Sequence, residues 1–531
     1  MTDRNLIAVG LLALCAACSQ SPDNAGDDGM VVERLFTGGL IYDGSGNAPF
    51  RADIGVSANK IAFIGDAENA GVRPDETIDV SGLWVSPGFI DAHSHAVLDE
   101  DYGRDAAPYL LQGITTVVLG MDGSGKNIAN RLDLWRENGI GVNGMLFIGH
   151  GSVRSEVLGS EDRAPTPAEL DAMRALVKQG MDEGAFGLST GLFYVPGTYA
   201  STEEVIELGK TAAEFEGAIY DTHDRDLGAV YQGVGYEASV QEAIRIGEES
   251  GLRVIFSHFN LQGAHNYGRA AVGAKLVNDA RARGAEVWAA HHPYTATQSN
   301  LRSYTIPDWA SAGGRDAMIA RFDDPAQSKE IRNTTSAMLG IRGGANKILF
   351  VDPQPDLNGK TLAEVARERE LAPEDAVQDI LRRADAGVMN LELYDHENTR
   401  MLAQEAWMMT CTDGRTPRPD QPITHPRTFG AFARKMRLFV FEDPVLTPEF
   451  AIRSFSGLAA DFYRLPGRGY LREGYIADIT ILDPDRYRDR ATFENPRLTT
   501  EGVVHVLVNG TYAVKDGELS GALAGLRISR P

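Results

Sequence analysis

Eight short apolar runs recur through the middle of this chain, and each stops at a polar side chain: IDAHSH at His95, ITTVVLGMD at Asp122, GMLFIGH at His150, GAFGLST at Ser189, GAIYDTH at His223, LRVIFSH at His258, AEVWAAHH at His291 and WMMTCTD at Asp413. The first seven ends follow one another at intervals of 27 to 39 residues, enough for one strand and one helix, and the eighth comes 122 residues after the seventh. The text between runs is helical. In TPAELDAMRALVKQGMDEG, Thr166 reads as an N-cap, Pro167 as the first helical residue and Glu169 as the far side of a capping box, ahead of an apolar-periodic stretch. Few arrangements satisfy this beat. Parallel strands need a long crossover, usually a helix, and eight such units close into a (β/α)8 barrel whose functional side chains stand at the C-terminal strand ends. The fold class is therefore α/β, with the barrel over residues 87–445 and an insertion of about residues 298–385 in the long eighth interval.

The flanks have a different texture. Residues 31–86 alternate with period two between Gly-rich turns, and GYIADITILDP and VVHVLVNGTYAVKDGELSG, within residues 446–531 behind a helix, repeat the pattern. Neither piece is long enough to close a sheet alone, so the two chain ends are expected to pair as a small β-sandwich beside the barrel. Residues 1–17 read as a signal segment: Arg4 precedes an apolar run from Leu6 to Ala17 that is too short to span a bilayer. LCAACSQS resembles a bacterial lipoprotein signal lipidated at Cys18, and residues 18–30 form a polar, turn-rich tether. The expectation is an exported, periplasmic protein, lipid-anchored to the envelope.

Of three cysteines, two lie in that signal, which leaves Cys411 single and excludes an intramolecular disulfide framework. Cys411 is expected to be an inert buried residue. The net charge of −23 argues against nucleic acid as a partner and against an anionic membrane surface, apart from the lipid anchor.

PGFIDAHSH brings two imidazoles to the end of the first run. Residues i and i+2 of an extended strand face the same way, roughly 6–7 Å apart, so His93 and His95 can converge on one ion. His223, His258 and Asp413 end the fifth, sixth and eighth runs and would face the same cavity. Imidazole nitrogen and carboxylate oxygen suit a first-row metal, with Zn²⁺ favoured, and a catalytic site leaves one position for water. Such an ion lowers the water's pKa toward about 7 and polarises a carbonyl. Asp413 is then the expected general base. His291 and His292 are expected to support or pack, and His265, His396, His425 and His505 to be surface or structural.

The matching text PGFIDAHSH, GITTVVLG, GHGSVR, GAFGLSTGLFYVPGTYASTEEVIELG, HPRTFGAF, GYLREGYIADITILDPD and ATFENP resembles the amidohydrolase superfamily, and within it the N-acyl-D-amino-acid deacylases, or D-aminoacylases. The resemblance implies zinc-dependent hydrolysis of the amide between an acyl group and a D-amino acid, with His93, His95, His223, His258 and Asp413 as metal ligands. Two positions depart from the family. The family reads GNCG after the second strand where this chain reads GMDG, so Asp122 stands in the cysteine's place. A carboxylate there can bridge, which favours one or two ions. The family's lysine after the sixth strand is replaced by Asn260, which supplies no charge. Tyr194, Arg427, His150 and Asn260 are the expected substrate-binding residues, with Arg427 a bidentate carboxylate clamp. Besides an N-acyl-amino acid, a dipeptide with a C-terminal D-residue is a candidate substrate. A cyclic-amide hydrolase of the dihydroorotase or hydantoinase kind is disfavoured, because no lysine stands at any of the eight strand ends. A metal-free binding lipoprotein is disfavoured by the retained ligands.

Overall fold

The structure is a computed structural model describing residues 30–530. The signal segment, Cys18 and nearly all of the tether lie outside the described residues. The chain begins with strands β1 (Val31–Ile41), β2 (Phe50–Ser57), β3 (Lys60–Gly65), β4 (Arg73–Asp79) and β5 (Trp84–Pro87). Only Gly88 separates β5 from the first barrel strand, β6 (Phe89–Asp91). A Cβ at Gly88 would meet the Thr115 hydroxyl at 2.2 Å, so this junction requires glycine.

The barrel continues through β7 (Ile114–Leu119), β8 (Asn143–Leu146) with its continuation β9 (Ile148–Gly149), β10 (Gly187–Gly191), β11 (Ile219–His223), β12 (Arg253–Phe256) and β13 (Val287–His291). An insertion carries β14 (Thr297–Asn300), β15 (Ile348–Phe350) and β16 (Gly387–Asn390), after which β17 (Met408–Thr410) completes the ring. All eight expected barrel strands form, in chain order and parallel to their neighbours. The ring closes between its first and last members: Ala92 N–H donates to Thr410 O (3.4 Å), Asp413 N–H to His93 O (3.0 Å) and His95 N–H to Gly414 O (2.9 Å).

Alternation along the strands separates two cores. Ile90, Val118, Met145, Ile255, Ala290, Met409 and Cys411 share one cluster inside the barrel, with Leu458, Phe462 and Tyr463 of the Gly457–Tyr463 helix packed among them. Val117, Leu188, Val254, Ala289 and Met408 pack outward against the helical layer. Burying a side chain of this size contributes about 1.5–3 kcal/mol each. Arg253, first residue of β12, donates to Phe462 O, which fixes that helix under the N-terminal end and leaves the C-terminal end open. The Pro167–Asp182 helix carries the expected capping box between Thr166 and Glu169.

The insertion has its own core, built on Leu301, Tyr304, Ile331, Phe350, Ile380 and Val388. It reaches a few residues beyond 298–385, because the returning β16 pairs antiparallel with the outgoing β14 from Thr297↔Asn390 to Asn300↔Gly387.

The far end supplies β18 (Ile479–Leu482), β19 (Val503–Val508), β20 (Thr511–Lys515) and β21 (Glu518–Leu519). The two chain ends pair as expected, with β18 antiparallel to β5 from Ile479↔Pro87 to Leu482↔Trp84. Together they make one nine-stranded sheet whose halves curl over a shared core of Phe36, Ile54, Val85, Ile481 and Leu507. The curl follows from a register shift in β1 between Phe36 and Gly39 and brings β3 back to the segment before β18, where Ile61 N–H donates to Tyr475 O (2.9 Å). Among the described residues, no helix is long and apolar enough to cross a membrane.

Candidate metal and catalytic centre

His93 and His95 lie just beyond the end of β6, and their rings converge to 5.1 Å. Asp91 anchors that strand end, accepting from Thr412 N–H (2.9 Å) and the Thr412 hydroxyl (2.5 Å), so β6 and the segment after β17 are tied together. Burial pushes the Asp91 carboxyl up to about 7 against those hydrogen bonds. From the sixth strand end, His258 approaches His93 to 5.3 Å between ring centroids, and His223 lies 4.6 Å from His258. Asp122 and Asp413 complete the ring of donors. Their carboxylates lie 3.3 Å from His95 Nε2, and 3.7 and 3.6 Å respectively from His93 Nε2.

These side chains reach the centre partly through backbone strain. Asp122 (φ 55°), His258 (φ 32°) and Asp413 (φ 48°) all occupy the left-handed region, which non-glycine residues rarely adopt outside functional turns. Two donor sets result, His93–His95–Asp413 and His93–Asp122–His258, each with its ligand atoms within 4.8 Å of one another. His223 stands beside the second set. Its Nδ1 is 3.0 Å from Asp224 O, which makes Nδ1 the N–H donor and leaves Nε2 as the free lone pair.

The residues fit a divalent ion. Both ring nitrogens of His93, His258 Nδ1 and Asp122 Oδ1 are buried without a hydrogen-bond partner, although buried polar atoms are nearly always paired. Burial disfavours charge here, yet Asp122 and Asp413 are held well below the usual carboxylate range, Asp122 by His93 and His95, Asp413 by Arg427 and His258. Burial would also lower the His95 imidazole, but hydrogen bonds to the same two carboxylates raise it to about 9. His258, dominated by burial, is lowered to about 3 and so presents a neutral imidazole.

Behind this ring stand two groups that sequence reasoning missed or left without a role. Asp221 Oδ1 lies 4.0 Å from His93 Nδ1 and accepts from the Ser257 hydroxyl (2.9 Å), and burial pushes its carboxyl up to about 7. The signal was present, since Asp221 is two residues before His223 on β11 and shares its face. His292 Nε2 is 3.7 Å from Asp413 Oδ2 and 3.1 Å from Arg427 Nη1. Arg427 reaches the centre as expected, but its Nη1 is already 2.5 Å from Asp413 Oδ2, so its first partner is the expected base. His425 is buried beside Ala296 O and is structural, as expected.

The centre forms the floor of a cavity of about 880 Å³ between the barrel mouth and the insertion. Tyr194 lines it, 4.8 Å from His223 between rings, its hydroxyl accepting from Ser299 at 3.4 Å. Two expected substrate residues do not face it. Asn260 is buried with both ends spent elsewhere, Nδ2 donating to the Thr399 hydroxyl (2.8 Å) and Oδ1 accepting from Leu261 N–H (2.8 Å). β12 ends at Phe256 and His258 turns left-handed, so strand parity does not carry from 258 to 260. His150 opens the His150–Leu158 helix instead of ending a strand, and packs against Glu204 (2.9 Å) away from the cavity. It is absent from the cavity lining.

Comparison with known proteins agrees with this geometry. The model of the amidohydrolase family matches residues 76–514. A D-aminoacylase of Alcaligenes xylosoxydans xylosoxydans is 32% identical over 95% of this chain and 99% of its own, and an N-acyl-D-aspartate deacylase of the same organism is 33% identical over 92% and 93%. The crystal structure of N-acyl-D-glutamate deacylase from Bordetella bronchiseptica, complexed with zinc and a phosphonate inhibitor, superposes with a TM-score of 0.79 at 28% identity, covering 94% of this chain and all of the other. With its barrel, its donor sets and its near full-length likeness to these deacylases, the chain belongs to the amidohydrolase family as a metal-dependent hydrolase of amide bonds.

Proposed function

We propose that this protein releases D-amino acids from N-acyl-D-amino acids, using Zn²⁺ held as one or two ions by His93, His95, Asp122, His223, His258 and Asp413. The observation that carries the reading is Asp413. One of its oxygens faces His93 and His95 at 3.6 and 3.3 Å, while the other is held by Arg427 at 2.5 Å. A divalent ion in that ring supplies Lewis acidity to water and to the substrate carbonyl. Asp413 Oδ1 takes the attacking water's proton and returns it to the departing amide nitrogen. Arg427 holds Oδ2 and in turn donates to His292 Nε2, so the guanidinium is positioned from behind and the carboxylate stays ionised. Tyr194 and the free edge of Arg427 receive the amino-acid carboxylate. Preference for the D-hand is supported by the relatives named above, and zinc by the complex of the Bordetella deacylase. A second ion is supported by the second donor set, in which the Asp122 carboxylate, able to bridge, stands with His258.

The cyclic-amide alternative has no support at the floor of the cavity, where the described residues place imidazoles and carboxylates and no lysine; Lys126, the lysine lining the cavity, is exposed at its rim. An envelope location, with Cys18 lipidated, is proposed from residues 1–29 alone; metabolic labelling with palmitate that fails on the full-length protein would refute it. The enzymatic reading is tested with metal-loaded protein on paired N-acetyl-D- and N-acetyl-L-amino acids, with L-D and L-L dipeptides alongside. Hydrolysis confined to the N-acetyl-D series is expected. Equal rates on both hands would remove the D-specific reading, and activity confined to dipeptides would replace deacylase by dipeptidase.

A further inference from the structure

The cavity has the opposite charge balance to the protein around it. The chain carries a net charge of −23, yet five cationic side chains line the cavity against two carboxylates outside the ligand set, Glu156 and Asp352. Asp352 is spent, its oxygens accepting from Gln354 N–H (3.0 Å) and Gly387 N–H (3.2 Å). Three of the cations also face acids: Arg427 meets Asp413 through Nη1, with its Nε left unpaired, Arg302 meets Asp385 and Arg418 meets Asp420. The remaining two, Lys126 and Arg415, are exposed at the mouth, and among the described residues neither side chain makes a hydrogen bond or ion pair.

Their places in the fold put them on one side of the base. Lys126 follows Asp122 by four residues in the loop after β7, and Arg415, two residues beyond Asp413, is in bridge register with His95. Both therefore stand over the β17–β6–β7 edge, whereas Arg427 meets Asp413 from the β13 side, next to His292. The substituents of a trans amide leave in opposite directions. If the amino-acid carboxylate is drawn toward Arg427 and Tyr194, as proposed above, the acyl chain points to the opposite side of the cavity, which Lys126 and Arg415 line. Two unpaired cations at the rim of the cavity draw an anion by charge-assisted hydrogen bonds and by steering.

We propose that Lys126 and Arg415 form a subsite for a carboxylate on the acyl group, so that the preferred substrates are N-acyl-D-amino acids whose acyl portion is the mono-amide of a dicarboxylic acid. This rests on the deacylase reading above and narrows it. The Lys126 ammonium and the Arg415 guanidinium hold the distal carboxylate, which fixes the scissile carbonyl over the centre from its far side.

The test compares N-succinyl-D-leucine with N-acetyl-D-leucine on the metal-loaded parent and on the Lys126→Ala/Arg415→Ala double variant. The parent should favour the succinyl substrate in kcat/KM by about tenfold at low salt, as two partly exposed charge contacts imply. The double variant, and 0.5 M NaCl on the parent, should bring the ratio toward unity. A parent ratio at or below one, or a ratio the double variant leaves in place, overturns the proposal. N-acetyl-D-glutamate is the third arm: a loss in the double variant concentrated on that substrate places the anion on the amino-acid side chain and overturns the acyl assignment. If the parent hydrolyses none of these compounds, the deacylase reading falls on its own, and calorimetric titration of the two leucine compounds still decides the subsite. Tighter binding of the succinyl compound, abolished in the double variant, upholds the anion site; equal affinities overturn it.

Discussion

Removing the guanidinium of Arg154 while keeping its bulk, as Arg154→Met, isolates a buried charge cluster that supports the cavity wall. Arg154 Nη1 lies 2.5 Å from Glu204 Oε2, His150 Nε2 lies 2.9 Å from Glu204 Oε1, and Arg154 Nη2 donates to Arg163 O at 2.6 Å. All three side chains are buried. The substitution strands the Glu204 carboxylate with one partner, and breaking a buried pair in this way costs about 3–5 kcal/mol. An unfolding entropy of about 2 cal/mol/K per residue over about 500 residues is about 1 kcal/mol/K, so the expected fall in Tm is about 3–5 °C. The pH dependence has a definite sign. Burial would raise the Glu204 carboxyl, but His150 and Arg154 hold it below its ordinary value of 4.5, so the cluster stabilises the fold above that value and loses its effect as pH falls through the folded-state pKa. Thermal scans of the metal-loaded protein at fixed rate should therefore show the widest gap between parent and variant near neutrality, narrowing as the pH falls below 4.5. Arg154→Met/Glu204→Gln should recover part of the loss. A fall of less than 1 °C, or a double variant as unstable as the sum of the singles, would refute the assignment.

Asp413→Asn should keep the metal while lowering kcat by about 10²–10⁴-fold, because the amide can still coordinate but accepts no proton; parent-like turnover in a protein of unchanged metal content would remove Asp413 as the base. Asp122→Gly is the right probe of the second donor set, since glycine accepts the φ of 55° at that position and carries no ligand atom. Elemental analysis should show fewer ions per chain, and an unchanged count would take Asp122 off the ligand set. Asn260→Ala should leave KM for N-acetyl-D-amino acids within about twofold and cost about 1 kcal/mol of stability through the lost Thr399 hydrogen bond; a large rise in KM with unchanged Tm would return Asn260 to the cavity.

The barrel was legible in sequence because each strand is buried on both faces and therefore reads as an apolar run, and because its punctuation falls at the functional end. The structure brings His93, His95, Asp122, His223, His258 and Asp413, all at or just past strand ends, to one centre. What escaped lies just past the strands. Parity arguments hold while the backbone is extended, and β12 stops two residues before His258, whose left-handed turn sends Asn260 toward Thr399. His150 was misread for a related reason: the run GMLFIGH ends in a helix start, and its imidazole belongs to the helical layer with Glu204. The ion pair between Arg427 and Asp413 joins positions 14 residues apart through a loop without local periodicity, so no pattern in the text announces it. The curl of the accessory sheet depends likewise on a register shift that alternation alone does not display.

The direct passage from β5 through Gly88 into β6 gives the protein an order of events. β5 is paired along its length by β18, which is contributed by residues 479–482, so the strand that carries His93 and His95 is clamped by nearly the last tenth of the chain to be made. Contacts so distant in sequence are slow to form. Until that late segment arrives, β5 is paired on one side only, by β1 at Leu40↔Trp84 and Ile41↔Val85, and the stave that leads into the two imidazoles lacks half of its outer support although every ligand is already made.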